Sequence, residues 1–181
     1  MRLTESEMLN LWKTVMHLQP VHSGLSVERS DGVDLDAILL TRIRQWYAQL
    51  LLSAPENVVP VADVKDALSV SVADNGVVTA VVPPQCVRPV EWKLKGWKKS
   101  VTLFLEPGAP EVAYMYNDWT SPGIFDPAAI DFGDRLLLFS LPAGELPEVE
   151  VARCVVRPAD GTFAFHASAL STIPVWKFGL I

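Results

Sequence analysis

The feature that most constrains the fold is a change in hydrophobic period near residue 68. Before it, apolar residues recur every three or four positions, which is typical of helices that bury one face. After it, apolar and polar residues alternate, as in the segment Val90-Glu-Trp-Lys-Leu-Lys95, which is typical of strands with one buried face. We therefore predict an α+β fold in which a helical hairpin or bundle portion (1–60) precedes an antiparallel sheet or small barrel (61–181).

Two helices are predicted in the first sixty residues. Thr4 and Glu7 have the spacing of a capping box, and the apolar residues that follow at helical spacing predict a helix over about residues 5–18. Asp34 is suited to cap a second, longer helix over about residues 34–53. The residues between these helices have no period and predict a loop.

The strongest turn signal in the second half is Asp74-Asn75-Gly76, which lies between two alternating segments. Asn-Gly tolerates the positive φ angles of a tight turn, so we predict a β-hairpin here. A short helix is expected near residues 166–170, before a tail that begins at Val175. Further strands are predicted at 90–95, 101–105, 112–116, 135–140 and 149–156.

The composition indicates a protein that covers apolar surface with partners. Half of the residues are apolar, only 20% are charged, and there are six tryptophans, while charged residues are scarcer than is usual in globular domains. Burial in the chain's own core is the more common fate of a single tryptophan, but aromatic residues are also enriched at interface cores. The net charge of -6 argues against a general nucleic-acid binder.

The chain is expected to be made in the cytoplasm. Its first residues have no apolar signal core, and no segment approaches the roughly 20 apolar residues of a membrane helix. Cys86 and Cys154 are far apart in sequence, and we expect them to be free thiols in a reducing compartment.

The sequence contains no arrangement of residues that is typical of catalysis. The spacing of His17 and His22 fits no known zinc signature, and phosphate-binding glycine loops and nucleophile elbows are absent from the sequence. Asp131-Phe132-Gly133 lacks the other parts of a kinase site and is predicted to be a turn. We therefore predict no enzyme, metal or cofactor. An active site assembled from residues distant in sequence is an alternative hypothesis.

The most distinctive segment is Arg88–Lys99, in which lysines interleave with tryptophans. Such a segment can bind nucleic acid by phosphate pairing and stacking, which gives the alternative hypothesis of a small nucleic-acid-binding or regulatory module. A strand with a lysine-rich wet face, or a surface that meets the acidic face of a neighbouring copy, is favoured here. The predicted partner-binding residues are Arg42, Trp46, Lys93, Lys95, Trp97, Lys98, Lys99, Trp176 and Phe178.

Four segments, of which Trp92-Lys-Leu-Lys-Gly-Trp97 is the most specific part, carry a resemblance to a known family. The segments are Ile38 to Pro55, Val81 to Pro84, Arg88 to Val101 and Leu136 to Ser140. Over residues 34–181 the chain resembles the head-to-tail connector or ring (adaptor) proteins of crAss-like and related podovirus-type phages that infect Bacteroidetes.

The resemblance implies a virion structural protein that is made in the bacterial host cytoplasm and assembles as a homo-oligomeric ring, commonly a dodecamer. Such a ring sits between the portal protein and other tail or ring proteins, and DNA passes through its lumen without sequence-specific binding. The helices would form the inter-subunit layer. A ring needs heterologous interfaces, which fits the apolar surplus. The family pattern continues into a further long helix that has no counterpart before Ile181, which leaves portal docking open.

Overall fold

The computed structural model describes residues 1–16, 34–117, 119–142 and 144–174. Helices and antiparallel-rich sheets are both present, which confirms the predicted α+β class. Within these residues, no helix has the length and apolar character needed to span a membrane. The helices and strands are β1 (Arg2–Thr4), α1 (Glu5–Val15), α2 (Leu35–Ser53), β2 (Val61–Asp63), β3 (Ser69–Val72), β4 (Val78–Val81), β5 (Cys86–Leu94), β6 (Phe104–Leu105), α3 (Val112–Met115), β7 (Ala129–Asp131), β8 (Arg135–Leu138), β9 (Val149–Val156) and β10 (Thr162–Ala164), with short 3-10 helices at Lys65–Ala67 and Ala167–Thr172.

The chain divides into two compact units. The helical unit comprises residues 1–59 together with 158–181, and the β unit comprises residues 60–157. The prediction that 61–181 form one module is therefore wrong for the residues after 157. The cause is a long-range strand pair: β10 pairs antiparallel with β1, and this pairing returns the chain to its N-terminus.

In the helical unit, the predicted caps are confirmed. The backbone N–H of Thr4 donates to the Glu7 carboxylate at 2.8 Å, and the Asp34 carboxylate accepts from the first free N–H groups of α2. α2 matches its predicted range, whereas α1 ends at Val15 and the end of its predicted range lies outside the described residues. Lys13 and Asp36 join the two helices by an ion pair of 2.7 Å.

Tyr47 of α2 holds the last strand in place. Its hydroxyl donates to the carbonyl of Ala164 and accepts from the N–H of the same residue, both at 3.0 Å. Its ring also meets Phe163 edge to face, with centroids 5.1 Å apart. These contacts explain why β10 belongs with the helices although it follows a long run of strands.

The β unit contains two sheets among its described residues. One has the order β3-β4-β8-β7-β6, antiparallel except for the parallel pair β6–β7, and the other has the order β2-β9-β5. The predicted hairpin is confirmed, because β3 and β4 pair antiparallel and Gly76 has a φ of 77° in the turn. The predicted strand at 101–105 shortens to β6, while Val101 forms only an isolated bridge with Trp92.

The core of the β unit lies between the two sheets. Ala80, Leu136 and Leu138 from the larger sheet and Trp92 and Leu94 from the smaller one belong to a single cluster of buried side chains. The period of two along the strands places these residues on inward faces. Burial of these large apolar side chains is the main stabilising contribution to this unit.

The opposite face of the larger sheet is covered by α3. Val112 and Met115 pack with Ile130 and Leu137, the residues that alternate with the inward ones along β7 and β8. The prediction of a strand at 112–116 is therefore wrong. Val112 and Met115 are three residues apart, so a short helix places both on the face that packs on the sheet, while Tyr114 points outward. This spacing favours a helix over a strand.

Candidate functional site

The lysine- and tryptophan-rich segment Arg88–Lys99 forms most of β5 and the turn after it. Trp92 is fully buried and Trp97 is only 2% exposed, so both rings belong to the core of the β unit. The indole N–H of Trp97 donates to the backbone carbonyl of Ser140 at 2.8 Å. The prediction that Trp97 binds a partner is wrong, because the turn at Gly96, with a φ of 90°, directs its ring back into the core.

The lysines of this segment lie at or near the surface, where carboxylates offset their charge. The hydrogen bond with Glu148 raises the pKa of Lys95 and favours its charged form. Lys98 is exposed, and its backbone N–H donates to the carbonyl of Ile124. This arrangement lacks the concentrated positive charge typical of a phosphate-binding surface. The ion pairs are Lys93–Glu150 at 2.9 Å, Lys95–Glu148 at 2.6 Å and Lys99–Asp126 at 3.3 Å.

Of the predicted partner-binding residues in the helical unit, Arg42 is exposed on α2 and Trp46 is half-buried. The indole N–H of Trp46 donates to the Thr172 hydroxyl at 3.2 Å, and its ring meets Trp12 edge to face at 5.4 Å. Trp46 also borders a cleft of about 300 Å³ between the end of α2 and the last 3-10 helix. Much of the Trp46 ring therefore packs against residues of the helical unit itself. Trp176 and Phe178 lie outside the described residues.

α2 nevertheless keeps apolar side chains in solvent. Leu35, Ile38 and Leu52 are exposed, while Leu39 and Ile43 are buried on the inner face of the same helix. Leu35 and Ile38 are three residues apart and therefore lie on one side of the helix. This helix can contribute contacts to an interface without losing its own packing.

The most exposed aromatic side chains among the described residues lie in the β unit, in the segment from α3 to Phe125. Trp119 is 95% exposed and Phe125 is 71% exposed, while more than half of Tyr114 and Tyr116 is exposed. We call these four residues the aromatic surface. Exposed groups of large apolar side chains mark interaction sites, and Trp and Tyr are enriched among the residues that dominate binding energy.

Hydrogen bonds and one ring contact hold the backbone at Tyr114, Tyr116 and Trp119. The Thr120 hydroxyl donates to the carbonyl of Tyr114 at 2.7 Å, and the backbone N–H of Trp119 donates to the Asn117 side chain at 3.0 Å. The Tyr116 ring packs edge to face on Phe139 at 5.2 Å. These contacts fix the backbone beneath the exposed rings, so less conformational entropy is lost when a partner binds.

Trp97 supports this surface from below through Ser140. Ser140 has a left-handed backbone with a φ of 75°, its carbonyl accepts the Trp97 N–H, and its hydroxyl donates to the carbonyl of Pro122. Ser140 and Tyr116 also line a cleft of about 240 Å³ beside the hairpin turn at Gly76. The buried tryptophan therefore positions the segment that carries the exposed one.

Sequence reasoning missed the aromatic surface. Its members are single aromatics in a turn-rich stretch, and the signal that could have found them is Trp119 itself. It is flanked by Asn, Asp, Thr, Ser, Pro and Gly, residues that favour turns at the surface.

No group of three or more His, Cys, Asp or Glu side chains in the described part of the chain is arranged to hold a metal ion. Nδ1 of His166 lies 2.9 Å from the Ser168 hydroxyl, but the same atom accepts the Ser168 N–H and caps the last 3-10 helix. Asp131 accepts the N–H of Gly133, so that motif is a turn, as predicted.

Comparison with known proteins adds no identification: no protein-family model and no curated protein sequence matches this chain. The resemblance to phage connector proteins therefore stays a prediction.

Proposed function

We propose that this protein is a non-catalytic structural subunit that assembles with copies of itself through the aromatic surface. The observation that carries the proposal is the almost complete exposure of Trp119 on a hydrogen-bonded turn, with Tyr114, Tyr116 and Phe125 in the same segment. Leaving large aromatic side chains in water forgoes roughly 1.5–3 kcal/mol for each one that could be buried. A second copy that covers them would recover that free energy.

We further propose that the assembly is a head-to-tail connector ring of a phage virion, in contact with the portal and other tail proteins. In a ring, the aromatic surface of one subunit meets a different surface of the next, because a rotational repeat uses heterologous contacts. The exposed apolar residues of α2 support the expectation that the helices contribute to such an interface.

Passage of DNA through the ring is consistent with the charges. The chain carries a net charge of -6, and Lys93, Lys95 and Lys99 are paired with carboxylates. A wall with these properties would not hold the phosphate backbone. The same pairs, together with the burial of Trp92 and Trp97, weaken the alternative of a nucleic-acid-binding module, which needs free cations and open ring faces.

Self-association tests the first proposal. Sedimentation velocity and native mass spectrometry over a range of concentrations should detect an oligomer that dissociates on dilution. Trp119→Ala and Phe125→Ala should each raise the concentration for half-association about tenfold or more, as truncation of a central aromatic residue does. Leu146→Ala is the matched control, because Leu146 is apolar and 81% exposed but lies outside the aromatic surface.

A wild-type chain that stays monomeric at high concentration would contradict self-assembly, and an equal loss of association in the Leu146 control would contradict the role of the aromatic surface. DNA binding with a steep salt dependence would favour the alternative module. Portal or terminase genes beside the gene for this chain would support the virion assignment, and a metabolic operon would contradict it.

A further inference from the structure

Cys86 and Cys154 meet in the smaller sheet although 67 residues lie between them in the sequence. Cys86 of β5 pairs with Val156 of β9. Cys154 lies two residues before Val156 on β9, so its side chain is on the same face of the sheet as those of Val156 and Cys86. The register shifts between Cys86 and Arg88, and Cys86 packs against the buried cluster that contains Cys154. The two cysteines are therefore diagonal neighbours across the β5–β9 pair, in the same part of the core.

The two sulfur atoms have different surroundings. Cys154 is fully buried, whereas Cys86 is only half-buried. The hydrogen bond between the thiols raises the pKa of Cys86, as does its burial, while the same hydrogen bond lowers the pKa of Cys154.

Trp92 adds a second polar group to this pocket. Its indole N–H is buried and has no hydrogen-bond partner of normal geometry among the described residues. The nearby indole N–H helps to lower the pKa of Cys154. A buried donor that faces a sulfur stabilises the thiolate form.

We propose that Cys86 and Cys154 are a thiol modification site that reacts with small-molecule disulfides and closes to an intramolecular disulfide. In the first step Cys86 loses its proton to solvent and its thiolate attacks one sulfur of the reagent, so that the S–S bond of the reagent breaks and one reagent thiolate leaves. In the second step Cys154 loses its proton to solvent, attacks the Cys86 sulfur and expels the second reagent thiolate. Two protein thiols are oxidised, and one reagent disulfide is reduced to two thiols.

The division of roles follows from access. A disulfide reagent reaches the half-buried Cys86 but not the fully buried Cys154, so Cys86 must react first and Cys154 must resolve the mixed disulfide. The product would join the first residue of β5 to β9 and close a long loop, which restricts the unfolded chain. This site involves none of the aromatic surface, so its test is independent of the proposed assembly.

The full-length folded chain should be incubated with oxidised glutathione, alkylated, and analysed by intact mass and peptide mapping. The wild type should lose two hydrogen atoms, resist alkylation at both positions and yield a peptide linked through Cys86 and Cys154. Its midpoint of urea unfolding should rise. Cys154→Ser should instead stop as a glutathione adduct at Cys86, and in Cys86→Ser the remaining thiol should stay unmodified until the protein is unfolded.

A wild-type product that retains glutathione, that links two chains, or that keeps both thiols open to alkylation would overturn the proposal. If a serine variant fails to fold, circular dichroism reveals this, and the mapped wild-type product alone decides. Cys154→Ala provides an apolar replacement at the buried position and should give the same arrested adduct.

Discussion

Two tryptophan-containing regions of the β unit differ in whether their rings are buried or exposed. Trp92 and Trp97 lie among lysines, in a segment whose composition resembles a binding surface, yet both rings are buried. Trp119 lies in a turn with no distinguishing pattern, yet it is almost fully exposed. The comparison teaches that strand alternation and the turn at Gly96, rather than charged neighbours, decide which aromatic residues reach solvent.

Replacing the buried ring should have the largest effect. Trp92→Ala removes a fully buried side chain from the core between the sheets and should lower the free energy of unfolding by about 3–5 kcal/mol. Urea unfolding followed by circular dichroism measures this loss. A cost below about 1 kcal/mol would show that Trp92 is not part of a closely packed core.

The next effect tests the turn that directs Trp97 inward. A Cβ at Gly96 would lie 2.9 Å from Cγ of Pro142, and the φ of 90° is itself unfavourable for alanine. Gly96→Ala should therefore cost about 1–3 kcal/mol of unfolding free energy. Gly76→Ala is the matched control: its φ of 77° is similar, but a Cβ there meets nothing within 4 Å. Equal costs at both positions would contradict a steric role for Pro142.

Much of the fold could be predicted from local chemistry. The capping box at Thr4, the Asp34 cap and the hairpin at Gly76 each depend on residues close in sequence, and each is present. The pairing of β1 with β10 could not be predicted, because each strand has three residues, too few for a periodic signal, and the pairing joins the two ends of the chain.

The candidate site was harder to predict than the fold. Trp46 and Trp97 have sequence neighbours that favour a surface role, but their indole N–H groups donate to Thr172 and Ser140, which come from distant segments. α3, which precedes Trp119, packs on the sheet through Val112 and Met115, although the pattern of this segment predicted a strand. These contacts join segments that are distant in sequence, so a short stretch of sequence cannot predict them.

A smaller effect concerns the charges of β5, which we regard as pairing groups rather than partner-binding groups. The hydrogen bond from Arg153 to Glu91, at 2.9 Å, lowers the pKa of Glu91 below its usual value. A carboxyl whose folded-state pKa is lowered stabilises the protein above its unfolded-state pKa, and this contribution is lost as the pH falls through the folded-state pKa.

Glu91→Gln should therefore lower the urea midpoint slightly at neutral pH, and the difference from wild type should shrink at about pH 3. Both partners are partly exposed, so solvent screening keeps the effect small. Glu106→Gln, at an exposed position, is the control. A difference that stays constant with pH would assign the loss to packing instead of charge.

The smallest effect on folding should come from the most exposed ring. Trp119→Ala removes a side chain that is 95% exposed, so the free energy of unfolding should change by no more than about 0.5 kcal/mol when measured at concentrations too low for association. The same substitution is expected to weaken self-association strongly, and this separation is the sharpest form of the contrast with Trp92. A loss of several kcal/mol in the dilute monomer would mean that Trp119 packs within its own chain in solution, and the aromatic surface would then have to be assigned to the fold of the β unit instead of to a partner.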